Sequence, residues 1–132
     1  MTAAGKNVVV TGANGHLGCA LVFDLLNHDY KVTATVRDPS DLLKTSHLRD
    51  GAERMGATDR LDIVAGDLME TDCWGEILAG KDGLFQVAAV YRTMSKNPQE
   101  DIIEPSITGT LNPLRAAVAE GVERVVYTSS IA

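Results

Sequence analysis

Hydrophobic and polar positions along this chain alternate between two periods. Unbroken or nearly unbroken β-branched runs occur at Val8–Val10, at Lys31–Val36 (KVTATV), at Leu61–Ala65 (LDIVA), at Leu84–Val90 (LFQVAAV) and at Arg124–Thr128 (RVVYT). Runs of this length and composition suit strands covered on both faces of a parallel sheet. Between them the apolar spacing changes to three and four residues. Leu17, Leu21, Val22, Leu25 and Leu26 predict a helix from about Gly15 to about His28. Asp29 closes it in the left-handed conformation that glycine more often supplies. The turn Asp38-Pro39-Ser40-Asp41 starts a polar helix reaching about Met55, and Gly56–Asp59 is a loop. Thr71 and Asp72 start a short helix that should turn Trp74, Ile77 and Leu78 inward. A long helix is predicted from about Glu100 to about Glu120, with Ile102, Ile103, Ile107, Leu111, Leu114, Ala117 and Val118 as its apolar stripe. Pro105 and Pro113 should kink it unless they lie in a first turn.

Strand and helix thus alternate five times. That order predicts an α/β fold, a doubly wound parallel sheet of about five strands with helices on both faces.

The first strand is followed by the most informative stretch, Lys6–Gly18 (KNVVVTGANGHLG). Gly12, Gly15 and Gly18 recur at three-residue spacing between a strand and a helix. This is the setting in which glycines mark a dinucleotide site. Gly12 permits the tight turn, Gly15 lets backbone approach a pyrophosphate, and Gly18 lets the helix pack closely on the strand. The helix N-terminus then offers free N–H groups to phosphate.

Two further strand ends belong to the same picture. In dinucleotide folds an acidic residue about 20 positions beyond the glycines binds the ribose 2′-hydroxyl. Here Val36 occupies that spot and Arg37 follows, a planar donor fork suited to a phosphate. This favours NADP over NAD, against an alternative in which Arg37 is a solvated turn residue and Asp38 takes the ribose. Lys44 lies close enough on the next helix to act as a second phosphate cation, unless it is simply solvated. Asp67 stands just past the third strand, where it serves either a ligand or its own turn, and the small residues Val87, Ala88 and Ala89 leave room beside the fourth. Tyr91–Gln99 is polar and loop-like, over the expected substrate side.

Length and charge narrow the classes. At 132 residues the chain is one domain, with 45% hydrophobic and 23% charged residues. Its 18 acidic residues outnumber 12 basic ones, which argues against nucleic acid and anionic membrane as partners. No apolar run reaches spanning length, and the start MTAAGKN lacks the apolar segment of a leader peptide, so a cytoplasmic location is expected. Cys19 and Cys73 make no metal or disulfide framework and read as small buried thiols.

TGANGHLG resembles the signature of the extended, epimerase/dehydratase-like branch of the short-chain dehydrogenase/reductase superfamily. ATVRDP, GDL, VAA, GTLN and the terminal VVYTSS follow in that group's order, and ATVRDP with IIEPSITGTLN is most similar to dihydroflavonol and cinnamoyl-CoA reductases. The resemblance implies that residues 1–132 form the N-terminal portion of an NAD(P)-binding Rossmann domain, ending before the last strands and the substrate lobe. It implies that Gly12, Gly15 and Gly18 cradle the pyrophosphate, with Asn14, His16 and Leu17 between them also binding the cofactor. Arg37 and Lys44 would take the 2′-phosphate of NADP, and Asp67 and Leu68 would flank the adenine. Val87, Ala88 and Ala89 would line the nicotinamide-ribose side, Thr128 and Ser129 would also bind the cofactor, and Ser130, with Ser129 as its fallback, would polarise the carbonyl of a small-molecule substrate. Gln86 stands where the group often has histidine, Thr108 replaces a frequent asparagine, and Pro113 is unusual. The group's Tyr-x-x-x-Lys pair has no counterpart, because none of Tyr30, Tyr91 or Tyr127 has lysine four residues later. The expectation is cofactor binding without turnover. Two other readings use the same residues: a non-catalytic NAD(P)-binding sensor or interaction module, and the N-terminal half of a nucleotide-sugar epimerase or dehydratase. An uncovered fifth strand would also expose a sheet edge for self-association.

Overall fold

The computed structural model describes residues 5–131; residues 1–4, part of the stretch read for a leader peptide, and residue 132 lie outside it. Five parallel strands, β1 (Asn7–Val10), β2 (Lys31–Val36), β3 (Leu61–Ala65), β4 (Gly83–Gln86) and β5 (Arg124–Tyr127), form one sheet in the order β3-β2-β1-β4-β5. The helices are α1 (His16–Asn27), α2 (Leu42–Arg54), α3 (Asp72–Leu78) and α4 (Glu104–Ala119).

The strands form where β-branched residues can be covered on both sides. Val9 and Leu84 face Trp74, Leu78 and Ala117 of α3 and α4, whereas Val8, Val10, Val32, Ala34 and Val36 face α1 and α2. Strand order reverses between β1, whose chain moves to β2 on one side, and β4 on the other. The carboxyl ends of β1 and β4 diverge there, which is where an open α/β sheet leaves a crevice.

Asp29 is the one non-glycine residue with positive φ (65°) among the described residues, as its place after α1 requires. The guanidinium of Arg60 donates to the carbonyls of Leu26 (2.8 Å) and Tyr30 (3.2 Å), satisfying the end of α1 from the approach to β3.

Three elements differ from the sequence reading. Strand β4 ends at Gln86, not Val90, because the amides of Val87 and Ala88 turn away to the side chain of Thr11. The long helix opens with a π-type turn over Gln99–Ile103, just ahead of Pro105, which lacks an amide proton and crowds the preceding turn. Helix α4 continues through Pro113 and buries Gly109, Asn112, Pro113 and Ala117, while Ile103, Ile107 and Val118 of the expected stripe are exposed. The buried face is chosen by a close approach: a Cβ on Gly109 would meet the Met69 side chain at 2.8 Å and Leu68 Cβ at 3.2 Å. Glycine at 109 lets this face lie close on the loop, and Asn112 on the same face donates to the Leu68 carbonyl (2.8 Å). The cysteines also differ, being partly rather than fully buried at the margins of the two cores.

β5 is exposed along its whole length, with Val126 53% and Tyr127 49% accessible. Among the described residues no helix is long and apolar enough to cross a membrane.

Candidate functional site: a cleft at the strand carboxyl ends

A cleft of about 440 Å³ opens over the carboxyl ends of β1 to β4. Its floor and walls come from four connections: residues 12–18 after β1, residues 35–44 around the end of β2, residues 66–69 after β3 and residues 87–90 after β4.

The first connection is shaped by its glycines in three distinct ways. Gly12 has φ +61°, and a Cβ there would press on Ala88 at 3.1 Å. A Cβ on Gly18 would lie 2.1 Å from the Gly12 carbonyl oxygen, so residue 18 has no space for any side chain. Gly15 meets only the Gly12 carbonyl, at 3.3 Å, and is otherwise open. It is the extended N-cap of α1, with no side chain capping the helix and no acidic residue in the first turn. The amides at that helix end therefore face the cleft with neither a side-chain cap nor a competing carboxylate.

Thr11 ties this turn to β4. Its fully buried hydroxyl accepts hydrogen bonds from the amides of Val87 (3.0 Å) and Ala88 (2.9 Å), and its own amide donates to the Phe85 carbonyl (3.1 Å). On the other side, the amide of Ala13 donates to the Thr35 carbonyl (3.2 Å). The glycine turn is thus held to both neighbouring strands.

Beyond β2 the rim is charged. Arg37 is exposed and has no hydrogen bond or ion pair among the described residues. Lys44, in the first turn of α2, reaches Asp41 at 3.8 Å. Asp38 is engaged in its own turn: Oδ1 accepts from the Ser40 hydroxyl (2.6 Å) and amide (2.9 Å), and these bonds hold its carboxyl below the usual range. Asp67 is half-buried and likewise serves its loop, with Oδ1 accepting from the Met69 amide (2.9 Å). Its carbonyl accepts from Trp74 Nε1 (3.0 Å), and Asn112 Nδ2 donates to the Leu68 carbonyl (2.8 Å). Helices α3 and α4 so fix the loop that forms the far wall.

Gly12, Asn14, Gly15, His16, Leu17, Gly18, Arg37, Lys44, Asp67, Leu68, Val87, Ala88 and Ala89, all singled out in the sequence, line this one cleft. Thr128, Ser129 and Ser130 do not. They follow β5, with the Thr128 amide donating to the Gln86 carbonyl (3.0 Å), one strand further along the same edge. The cleft also includes Thr35, Asp41, Met69 and Val90, which sequence reasoning missed. Strand period could have found Thr35; the other three are set by loop paths.

Strand order β3-β2-β1-β4-β5 with a glycine-shaped cleft at the reversal is a Rossmann-type fold. The chain belongs to the 3-beta hydroxysteroid dehydrogenase/isomerase family, whose model matches residues 9–132, within the extended short-chain dehydrogenase/reductases. It is 44% identical over 124 residues to barley (Hordeum vulgare) dihydroflavonol 4-reductase, covering 93% of this chain and 34% of the relative. The fold matches yeast methylglyoxal/isovaleraldehyde reductase complexed with NADPH at TM-score 0.76 and 25% identity, over 95% of this chain and 37% of that one. It also matches an Agrobacterium tumefaciens uronate dehydrogenase variant complexed with NAD at TM-score 0.69 and 27% identity, over 96% and 42%. The chain spans between 34% and 39% of the length of the curated relatives it matches.

Proposed function

We propose that the cleft binds NADP(H), and that these residues form the cofactor-binding part of an oxidoreductase that reduces a ketone or aldehyde of a small molecule. The observation that carries the reading is Arg37: an unpaired guanidinium on the rim at the end of β2, where ribose recognition falls in this fold. Lys44 adds a second cation to the same rim. Asp38, the alternative ribose ligand, has one carboxylate oxygen committed to Ser40.

The remaining fit is steric and electrostatic. Gly15 leaves space above the uncapped start of α1, which suits a pyrophosphate. In this reading Asp67 and Leu68 flank the adenine, and the small side chains of Val87, Ala88 and Ala89 take the nicotinamide-ribose side; all five line the cleft. When bound, the cofactor supplies a hydride. Ser130, past β5, is assigned to hydrogen-bond the substrate oxygen. These residues contain no Tyr-x-x-x-Lys pair to move the proton, so the reading gives them cofactor binding and no turnover of their own.

The test is Arg37→Ala followed by calorimetric titration with both cofactors. Loss of a charged hydrogen bond should weaken NADPH binding by about 1.5–3 kcal/mol and leave NADH almost unchanged. Equal loss for both would sink the assignment of Arg37 to the 2′-phosphate.

A further inference from the structure

The turn that follows Arg37 is held not only by Asp38 but also by a side chain outside the cleft. Arg49, two turns into α2, donates from Nη2 to the Pro39 carbonyl (3.2 Å) and from Nη1 to the Thr45 hydroxyl (2.9 Å). Thr45 is fully buried, and its hydroxyl in turn donates to the Asp41 carbonyl (2.9 Å). Thr45 Oγ1 also lies 3.4 Å from the Pro39 carbonyl. The guanidinium and hydroxyl therefore close a ring over Pro39–Asp41, the segment between Arg37 and Lys44. The ring ties the Pro39 and Asp41 carbonyls to two side chains of α2, Thr45 and Arg49, which are themselves hydrogen-bonded (2.9 Å). Removing Arg49 loosens the turn, which the Ser40 bonds to Asp38 (2.6 and 2.9 Å) and the Asp41 amide to the Asp38 carbonyl (3.2 Å) also hold, without touching the sheet.

From this geometry we infer that Arg49 is a positioning residue for cofactor choice: it holds the Arg37–Asp41 turn so that Arg37 meets the 2′-phosphate. The inference rests on the reading of the cleft as an NADP site. It makes a claim that a merely structural bond would not. A bond that only stabilises the fold affects both cofactors alike. One that aims Arg37 affects NADPH alone, and only while Arg37 is present.

The experiment is calorimetric titration of the protein with NADPH and NADH, alongside Arg49→Gln, Arg37→Ala and the double variant, with thermal unfolding as a check on each. Arg49→Gln should weaken NADPH by about three- to tenfold, the scale of one or two net hydrogen bonds, with NADH within about twofold. In the Arg37→Ala background the same change should have no further effect on NADPH. Arg49→Lys, which keeps a cationic donor for the Pro39 carbonyl, should recover part of the affinity and carries the test if Arg49→Gln unfolds. The inference is overturned if NADPH binding is unchanged, if both cofactors weaken equally, or if the two substitutions multiply independently. Arg37-dependent NADPH preference with a silent Arg49 overturns this inference alone. Failure of the unsubstituted protein to bind NADPH overturns it together with the reading beneath it.

Discussion

Gly18 and Gly12 stand so close that a single added carbon on residue 18 would sit 2.1 Å from the Gly12 carbonyl oxygen. The obstruction is backbone, which cannot swing aside as a flexible side chain can. Gly18→Ala should therefore force α1 away from β1 and destabilise the protein by about 2–4 kcal/mol, the range of overpacking with loss of a special backbone contact. Gly15→Ala meets the same oxygen at a tolerable 3.3 Å. It should cost no more than about 1 kcal/mol in stability while weakening NADPH binding at least tenfold, because it adds bulk to the cleft lining assigned to pyrophosphate. Thermal unfolding paired with titration separates the two. If both variants lose stability alike, Gly15 is a packing residue and not part of a ligand cradle.

Thr11 makes a second prediction. Its hydroxyl is the partner of two amides, Val87 and Ala88, that have left the ladder between β4 and its neighbours. Thr11→Val keeps the shape and leaves both donors without their acceptor in a part-buried place beside the cleft. A fully buried stranded donor costs about 1–3 kcal/mol; with both only part-buried, each falls in the lower part of that range and the unfolding free energy should fall by about 2–4 kcal/mol. Thr11→Ser, which restores the acceptor, should recover most of it. A Thr11→Val protein as stable as the parent would show that the two amides find other partners.

The thiols give a prediction in pH. Burial raises both Cys19 and Cys73 above their ordinary value of 9.0, and for Cys73 hydrogen bonds from Asp67 and its own backbone partly oppose it. A folded pKa above the unfolded one means that folding favours the protonated thiol. This contribution is complete below pH 9 and is lost as pH rises through the folded values. Alkylation with iodoacetamide should accordingly show a midpoint above that of the denatured chain for both residues. A native midpoint at or below the denatured one would contradict the burial seen here.

Much of this architecture was legible in the chain because its period changes are clean. Strands β2 and β3 run over the residues that their β-branched runs mark out, and Asp29 takes the left-handed turn that its position demands. Thirteen of the residues singled out by motif meet in one cleft, since each lies in a strand's carboxyl-terminal connection or in the first turn of the helix after it, and parallel strands bring these to one edge. What sequence could not show was set by contacts between distant segments. The end of β4 depends on a hydroxyl 76 residues earlier in the chain, between Thr11 and Val87. The buried face of α4 follows from Gly109 lying on Leu68 and Met69, not from the isoleucines, whose spacing alone points the other way. The commitments of Asp38 and Asp67 to their own turns are local, but no residue pattern distinguishes a turn aspartate from a ligand aspartate. Arg49 was silent for the same reason, because a surface arginine on a polar helix announces nothing until the carbonyl it reaches is known.

The central claim is that the cleft prefers NADP(H). The measurement that tests it most directly is calorimetric titration of the purified protein with NADPH and NADH under one set of conditions. NADPH should bind at a single site, tighter than NADH by about tenfold or more, the factor expected of one additional charged hydrogen bond. NADH binding as tightly as NADPH, or no binding of either to the folded protein, would contradict the account.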